Sequence, residues 1–313
     1  MGDGDLAYFL AVDAGGTKTE CVLADETQVL ARASCGSVKL MRVSEAEATE
    51  RLRGLLVEVS KQAGVGLGEI SRTCMGLAGL SIAAVRGWAE RTLGEAVGGE
   101  MLLCGDEEIA LDAAFEGGRG MLVISGTGSN VVGRTVDGET GEMVRFWAGG
   151  WGPVLGDEGS GYWIGLEAVR AGLWARDRGV PTGLLEAIEE AWGAGSLGEL
   201  VEMGNGQPGP DFAALAPVVA KCAAGGDELA GAVLARAGAE LAEQVALVEL
   251  KLVEFGGAGG EVGLAYTGSV LEKIAPVREA MVEALRESAP SVRVLSGAVD
   301  SLAGALWRAR GGQ

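Results

Sequence analysis

The chain has 313 residues, 48% of them hydrophobic, which suits two packed lobes rather than one small core. Acidic residues outnumber basic ones by 44 to 25, a formal net charge of −19, so neither nucleic acid nor an anionic membrane is an expected partner. The sequence contains no histidine, which excludes Ser-His-Asp hydrolysis and His-based metal catalysis.

The cysteines and the amino terminus indicate the compartment. The five cysteines are scattered and form no CxxC pair, which is typical of reduced thiols rather than disulfides or a zinc site. The amino-terminal residues lack a basic stretch followed by an apolar one, and no apolar run approaches the ~20 residues of a spanning helix. We therefore expect a cytoplasmic protein.

The first part of the chain alternates strand and helix patterns. A buried strand at 6–13 precedes a glycine turn and two more strands, ECVLAD and QVLARAS. An amphipathic helix is predicted at 44–65, with Ser44 as its amino-terminal cap and Glu47 at the capping-box position. Strands in SRTCMGLAGL and GEMLLCGD then alternate with helices in SIAAVRGWAERTLGEAV and EEIALDAAFEGG.

The pattern restarts at 120–135, where GMLVISGTGSNVVGRT repeats the layout of FLAVDAGGTKTECVLA and predicts an internal duplication. A helical region follows to about residue 254, with a turn at 204–211. Strands at 262–268 and in VRVLSG precede a terminal helix in AVDSLAGALWRAR. This alternation predicts an α/β fold.

Two glycine turns follow buried strands. DAGGTKT places Asp13 at a strand end, where α/β folds bind ligands, and the backbone of the next residues can form an anion-binding nest. Asp13 can hold Mg²⁺ through water. SGTGSN has the same anatomy, and a plain hairpin turn is the alternative for each. The pair favours a polyphosphate, whereas the P-loop and Rossmann patterns are absent.

Carboxylates supply the remaining candidates. Asp106 ends a strand and begins a helix, so it is either a general base or the cap of that helix. Asp157 and Glu158 lie in GGWGPVLGDEGSGYWIG (149–165) beside Trp151. Adjacent acids are usually a solvated turn, but this setting also suits acceptors for sugar hydroxyls.

Taken together and in order, LAVDAGGTKT, ISGTGSN and GGWGPVLGDEGSGYWIG resemble the N-acetylglucosamine kinase branch of the sugar kinase/Hsp70/actin ATPases and the wider BadF/BadG/BcrA/BcrD-type ATPases. The resemblance implies two duplicated ribonuclease H-like (actin-like ATPase) domains with a nucleotide cleft between them. Their expected limits are 1–118, completed by a helix at 297–313, and 119–296. It also implies a homodimer that uses ATP and Mg²⁺ to phosphorylate the 6-hydroxyl of an amino sugar, most readily N-acetylglucosamine.

The resemblance assigns roles to individual residues, with Asp106 as the catalytic base. Those implied to bind ATP or its phosphates are Asp13, Gly15, Gly16, Thr17, Lys18, Gly126, Thr127, Gly128, Gly268, Ser269 and Lys273. For Ser269, a helix cap is the alternative. Those implied to bind the sugar are Lys39, Asp106, Gly150, Trp151 and Asp157. Val38 and Lys39 stand where the family carries a sugar-binding Asn, so either Lys39 donates to a sugar oxygen or the acceptor is another sugar.

Other activities stay open. Glucosamine or another hexosamine is an alternative acceptor. ATPases that activate a partner enzyme bridge an iron–sulfur cluster with cysteines, but the cysteines here stand alone. ROK sugar kinases carry a zinc-binding CxCG cluster and a His, both absent here. A non-catalytic sugar sensor is disfavoured because Asp13 and Asp106 are both present.

Overall fold

The computed structural model describes residues 7–257 and 260–312. The chain divides into two compact units: Met1–Gly118 with Val299–Gln313 form unit 1, and Arg119–Ala298 form unit 2. Leu6, at the start of the first predicted strand, lies outside the described residues.

Unit 1 is built on a five-stranded sheet in the order β3-β2-β1-β4-β5. Its strands are β1 (Tyr8–Ala14), β2 (Lys18–Ala24), β3 (Val29–Gly36), β4 (Ile70–Leu77) and β5 (Glu100–Cys104). Strand β2 is antiparallel to both its neighbours, and β1, β4 and β5 are parallel. Consequently the carboxyl ends of β1, β3, β4 and β5 all lie at one edge of the sheet.

Helices cover both faces of this sheet. They include α1 (Glu45–Ala63), α2 (Ala83–Gly94) and α3 (Asp106–Phe115). The predicted cap of α1 is confirmed, because the Ser44 hydroxyl accepts the backbone N–H of Glu47. The Glu47 carboxylate contacts Arg51. Alternate residues of β1 enter different cores: Leu10 and Val12 lie in one cluster and Ala11 in another.

Unit 2 repeats this plan in the order β10-β9-β6-β7-β8. Its strands are β6 (Gly120–Ser125), β7 (Ser129–Val136), β8 (Met143–Gly149), β9 (Val262–Thr267) and β10 (Val292–Val294). The strand directions match those of unit 1 pair for pair, so the predicted duplication and the α/β class are confirmed. Strand β8 was not predicted from the sequence.

Helices supply most of the core of unit 2. They are α4 (Gly161–Arg178), α5 (Leu184–Trp192), α6 (Leu197–Gly204), α7 (Ala216–Ala224), α8 (Glu228–Gly256), α9 (Ser269–Lys273) and α10 (Ala275–Ser288). Helix α8 buries a stripe at helical spacing: Val233, Ala237, Leu241, Val245, Val248 and Leu252. Within the described ranges, no helix is both long and apolar enough to cross a membrane.

The last helix, α11 (Ser301–Ala309), belongs to unit 1 and packs on α3. A Cβ at Gly304 would lie 1.8 Å from the Ile109 carbonyl oxygen, so this close approach requires glycine. The Arg308 guanidinium contacts the fully buried Asp112 carboxylate and lies 3.6 Å from Glu108 Oε2. Helix α11 thereby holds α3 in place against the sheet.

Candidate functional site

The sequence-predicted residues of unit 1 gather where its strands end. Asp13 is the penultimate residue of β1, and residues 15–17 lie in the turn to β2. The Ser37 hydroxyl, just beyond β3, donates to the Gly15 carbonyl at 3.1 Å, and the Lys39 N–H donates to the Ser37 oxygen at 3.2 Å. The turn and the loop that carries Lys39 are therefore joined.

The glycines of this turn have no structural explanation within the described chain. A Cβ on Gly16 would meet no atom within 4 Å, and one on Gly15 would approach the Lys18 carbonyl only to 3.5 Å, an ordinary contact. Neither residue adopts the left-handed backbone that favours glycine. A backbone free of side chains suits close approach by a ligand, which is what the phosphate hypothesis requires.

Asp13 is a half-buried carboxyl group among other acids. Burial and then the neighbouring Glu20 carboxylate raise the pKa of Asp13 to about 6, and Asp300 adds to this, while Lys18 opposes it. The Lys18 ammonium lies 2.5 Å from Glu20 Oε2, so this predicted phosphate ligand is already engaged. The described residues contain no cluster of three metal-ligating side chains. With acidic neighbours and too little positive charge beside it, the Asp13 carboxyl group fits Mg²⁺ held through water and phosphate oxygens.

Asp106 is the first residue of α3, and Gly105 occupies the cap position. The alternative that Asp106 caps this helix is therefore wrong. The parallel order of β1, β4 and β5 places Asp106 about two strand spacings, or ~10 Å, from the end of β1. Asp13 and Asp106 thus share one edge of the sheet, with the amino terminus of α3 beside Asp106.

Glu107 is a neighbour that the sequence analysis missed. Its carboxyl group folds over Gly105, where a Cβ would lie 2.6 Å from Glu107 Oε1. Burial and a hydrogen bond with Asp106 raise the pKa of Glu107 to about 7. The sequence shows a run of three acids, Asp106 to Glu108, but the run alone does not indicate which of the three carboxyl groups has a raised pKa.

In unit 2 the second glycine turn, Gly126 to Gly128, joins β6 to β7 and lies beside the start of α9. A Cβ on Gly126 would be 3.9 Å from both the backbone nitrogen and the hydroxyl of Ser269. Gly268 has φ of +100°, and its Cβ would lie 2.3 Å from the Ser125 carbonyl oxygen, so glycine is required there. Gly268 is also the cap of α9, so the alternative that Ser269 caps it is wrong. Lys273, at the end of α9, is exposed.

The stretch at 149–161 is fastened directly to this turn. The Ser125 hydroxyl donates to the Gly159 carbonyl at 2.8 Å, and the Ser129 hydroxyl to the Glu158 carbonyl at 2.7 Å. The Gly161 N–H donates to the Gly126 carbonyl at 2.7 Å. The glycine turn and the loop therefore form one hydrogen-bonded assembly.

Two side chains of this loop differ sharply in exposure. Asp157 is only 7% exposed, has φ of +58°, and its Oδ1 accepts the Gly152 N–H at 3.1 Å. Its other oxygen faces Gly128, where a Cβ would lie 2.7 Å away. Trp151 is 74% exposed. The structure places Asp157 as a contact of the glycine turn and leaves Trp151 accessible to a ligand.

Comparison with known proteins places the chain in a family. The model of the BadF/BadG/BcrA/BcrD ATPase family matches residues 10–306. The chain belongs to this family. A relative from Clostridium acetobutylicum, an N-acetylmuramic acid/N-acetylglucosamine kinase, is 31% identical over 97% of this chain and 99% of its own length. An N-acetyl-D-glucosamine kinase from Dictyostelium discoideum is 29% identical over 95% of this chain and 96% of its own.

A solved structure agrees with these relatives. A candidate N-acetylglucosamine kinase from Chromobacterium violaceum superposes with a TM-score of 0.74 at 27% identity, covering 98% of this chain and 100% of that one. Both curated relatives and this structure match the chain over nearly its whole length. The resemblance inferred from the three motifs is therefore confirmed.

Proposed function

We propose that this family member is an ATP-dependent kinase that phosphorylates the 6-hydroxyl of an amino sugar, most readily N-acetylglucosamine. The observation that carries the proposal is the near full-length match to two amino-sugar kinases. The arrangement in unit 1 supports it, because a glycine turn and two half-buried acids, Asp13 and Asp106, lie at one sheet edge. A phosphoryl transfer site needs a phosphate cradle and a base.

In this proposal, Asp106 accepts the proton of the attacking hydroxyl at the amino terminus of α3. The turn at Gly15, Gly16 and Thr17 binds phosphate oxygens through backbone N–H groups, as does the turn at Gly126, Thr127 and Gly128. Gly268 and Ser269, with the exposed Lys273, contribute to the nucleotide site. Asp13 holds Mg²⁺ through water, and the bound ion would neutralise phosphate charge.

The sugar site is proposed to include Lys39, Asp106 and the loop of Gly150, Trp151 and Asp157. Trp151 offers an exposed apolar ring, and the neighbouring Gly150 is also exposed. Oδ1 of Asp157 already accepts the Gly152 N–H, and the Asp157→Ala variant tests whether the same carboxylate also binds the sugar.

The activator-type alternative receives no support from the cysteines. Cys21, Cys74 and Cys104 are buried inside unit 1, where they are poorly placed to bridge subunits. Cys35 and Cys222 are half-buried and lie in different units. The same proposal includes a cytoplasmic location and a homodimer. Light scattering of the purified protein tests the homodimer.

The experiment is a coupled ADP-release assay with Mg²⁺ and ATP across N-acetylglucosamine, glucosamine, N-acetylmannosamine and glucose. We expect turnover with at least one amino sugar and much less with glucose. The absence of sugar-dependent ADP release with every amino sugar would contradict the proposal.

The Asp106→Asn variant tests the mechanism in the same assay. Because Gly105 is the cap of α3, the substitution leaves the helix start intact. Loss of a general base lowers kcat by about 100-fold or more while sugar and nucleotide binding persist. Unchanged kcat would show that Asp106 is not the base.

A further inference from the structure

Lys39 is an unusual cation in this acidic protein. Its side chain is half-buried, and within the described ranges its ammonium has neither an ion pair nor a hydrogen-bond acceptor. Three basic residues of the neighbouring strands and helix are paired: Lys18 with Glu20, Arg32 with Glu20 and Asp300, and Arg51 with Glu47. Arg42, on the same loop as Lys39, is exposed to solvent. A partly desolvated ammonium is costly without an anion. Of the acidic residues that the structure describes, none forms an ion pair or a hydrogen bond with the Lys39 ammonium.

The backbone of Lys39 is held rigidly. Val38 is fully buried in the core, and Arg51 Nη1 donates to the Ser37 carbonyl at 2.6 Å. The Lys39 carbonyl accepts the N–H of Arg42 at 2.8 Å and that of Val43 at 3.2 Å. Side chains on a fixed backbone lose less freedom on binding, which suits a ligand contact.

The position of Lys39 ties it to the proposed reaction. It follows β3, whose carboxyl end shares the sheet edge with Asp13 and Asp106, and its loop is bonded to the Gly15 carbonyl through Ser37. An anion bound by Lys39 therefore belongs to one of the two substrates of the proposed kinase: a phosphate of the nucleotide or an acidic group of the sugar.

The acceptor is the better match. Phosphate already has the backbone of the glycine turn and the metal held by Asp13 in the proposed site, whereas a neutral sugar presents hydroxyl and amide groups that need no full charge. A carboxylate pairs with an ammonium through a charge-assisted hydrogen bond. One curated relative is an N-acetylmuramic acid/N-acetylglucosamine kinase. N-acetylmuramic acid is the same amino sugar with a carboxylate-bearing ether and a free 6-hydroxyl.

We propose that Lys39 is a specificity-determining residue that binds the carboxylate of an acidic amino sugar, so that the site accepts N-acetylmuramic acid as well as neutral N-acetylglucosamine. This inference rests on the proposed kinase function. The carboxylate takes no part in the transfer: the 6-hydroxyl attacks the γ-phosphorus of ATP, ADP leaves, and the hydroxyl proton passes to the base.

The test compares kcat/KM for N-acetylmuramic acid, for its uncharged methyl ester and for N-acetylglucosamine. We expect the wild-type protein to phosphorylate the acid and to prefer it to the ester. Lys39→Met lowers the ratio of kcat/KM for the acid to that for N-acetylglucosamine by about tenfold or more, the size of a lost charge-assisted hydrogen bond. Lys39→Arg restores part of the ratio. Arg42→Met, which removes an exposed charge from the same loop, leaves it unchanged.

The outcomes distinguish failure of the Lys39 inference from failure of the proposed kinase function. Turnover of N-acetylglucosamine without turnover of the acid overturns the inference and leaves the kinase function standing. An unchanged ratio in Lys39→Met, with equal losses for both sugars and a raised KM for ATP, also overturns it, because Lys39 then binds phosphate. No turnover of any amino sugar overturns the kinase function itself. The unfolding temperature of each variant without ligand shows whether it is folded.

Discussion

At the scale of single residues, two carboxyl groups of unit 1 are held partly protonated near neutral pH. The pKa of Asp13 is raised to about 6 and that of Glu107 to about 7, in both cases chiefly by burial. The second causes differ. The negative charge of Glu20 disfavours ionisation of Asp13, whereas a hydrogen bond with Asp106 favours the protonated form of Glu107. A protonated Glu107 can donate this hydrogen bond to the Asp106 carboxyl group.

The raised pKa of Glu107 predicts a pH-dependent stability. The charged groups facing it are Asp106 and Glu108 on its own helix, with Arg308 of α11 next to Glu108. Between its ordinary pKa of 4.5 and about 7 the unfolded chain has released this proton and the folded chain has kept it. The free energy of unfolding therefore falls as the pH rises through this window.

Glu107→Gln should remove this contribution. Its free energy of unfolding falls less than that of the wild type between pH 4.5 and 7.5, by on the order of 1–2 kcal/mol. Urea unfolding at several pH values measures the slope, and Glu50→Gln, on an exposed face of α1, serves as the control with an unchanged slope. Identical slopes for Glu107→Gln and wild type would contradict the assignment.

At the scale of elements, the loop at 149–161 combines a buried anchor with an exposed ring. Asp157 closes the loop onto Gly152, and Trp151 projects outward. The sequence shows both residues in one motif and suggests one role for both. Their environments instead predict two separable roles.

Paired variants separate those roles. Asp157→Ala leaves the Gly152 N–H without this acceptor and puts Ala at a positive φ, so the free energy of unfolding falls by about 1–3 kcal/mol. Trp151→Ala changes stability by less than about 0.5 kcal/mol but weakens sugar binding about tenfold. Calorimetry with sugar alone, and then with a non-hydrolysable ATP analogue, measures binding. Should Asp157→Ala keep full stability and lose only sugar affinity, its carboxylate binds sugar as the sequence predicted.

At the scale of the whole molecule, the net charge of −19 determines how a polyphosphate can be held. The exposed surface repels such a ligand, so backbone N–H groups and a divalent cation have to supply the attraction. We therefore expect the metal to be required for nucleotide binding as well as for catalysis.

Magnesium removal tests this directly. We expect the Kd of ATP to rise at least about tenfold in EDTA relative to excess Mg²⁺, and Asp13→Asn to lose most of that difference. Glu26→Gln, an exposed acid in the turn from β2 to β3, is the matched control and keeps the full difference. Equal affinity with and without Mg²⁺ would exclude the proposed metal role of Asp13.

The sequence by itself determined the features that depend on neighbouring residues. Apolar runs and glycine turns revealed the strand-turn-strand units at both ends of the duplication, and Ser44 predicted the start of α1. The family motifs were recognisable for the same reason, since their chemistry lies within short stretches such as GDEGSG. Strand β8 escaped because it is an edge strand with exposed Met143 and Trp147, which weakens the alternation of buried and exposed residues.

Only the tertiary structure decided what depends on residues distant in sequence. The requirement for glycine at 304 comes from Ile109, and that at 268 comes from Ser125. The burial that raises the pKa of Glu107 and the contact of Asp157 with Gly128 are likewise set by packing. Strand order, which brings Asp13, Lys39 and Asp106 to one edge, arises from pairing across long loops. Burial and pairing are properties of the folded neighbourhood, and a linear pattern of residue types carries no record of which distant groups will form it.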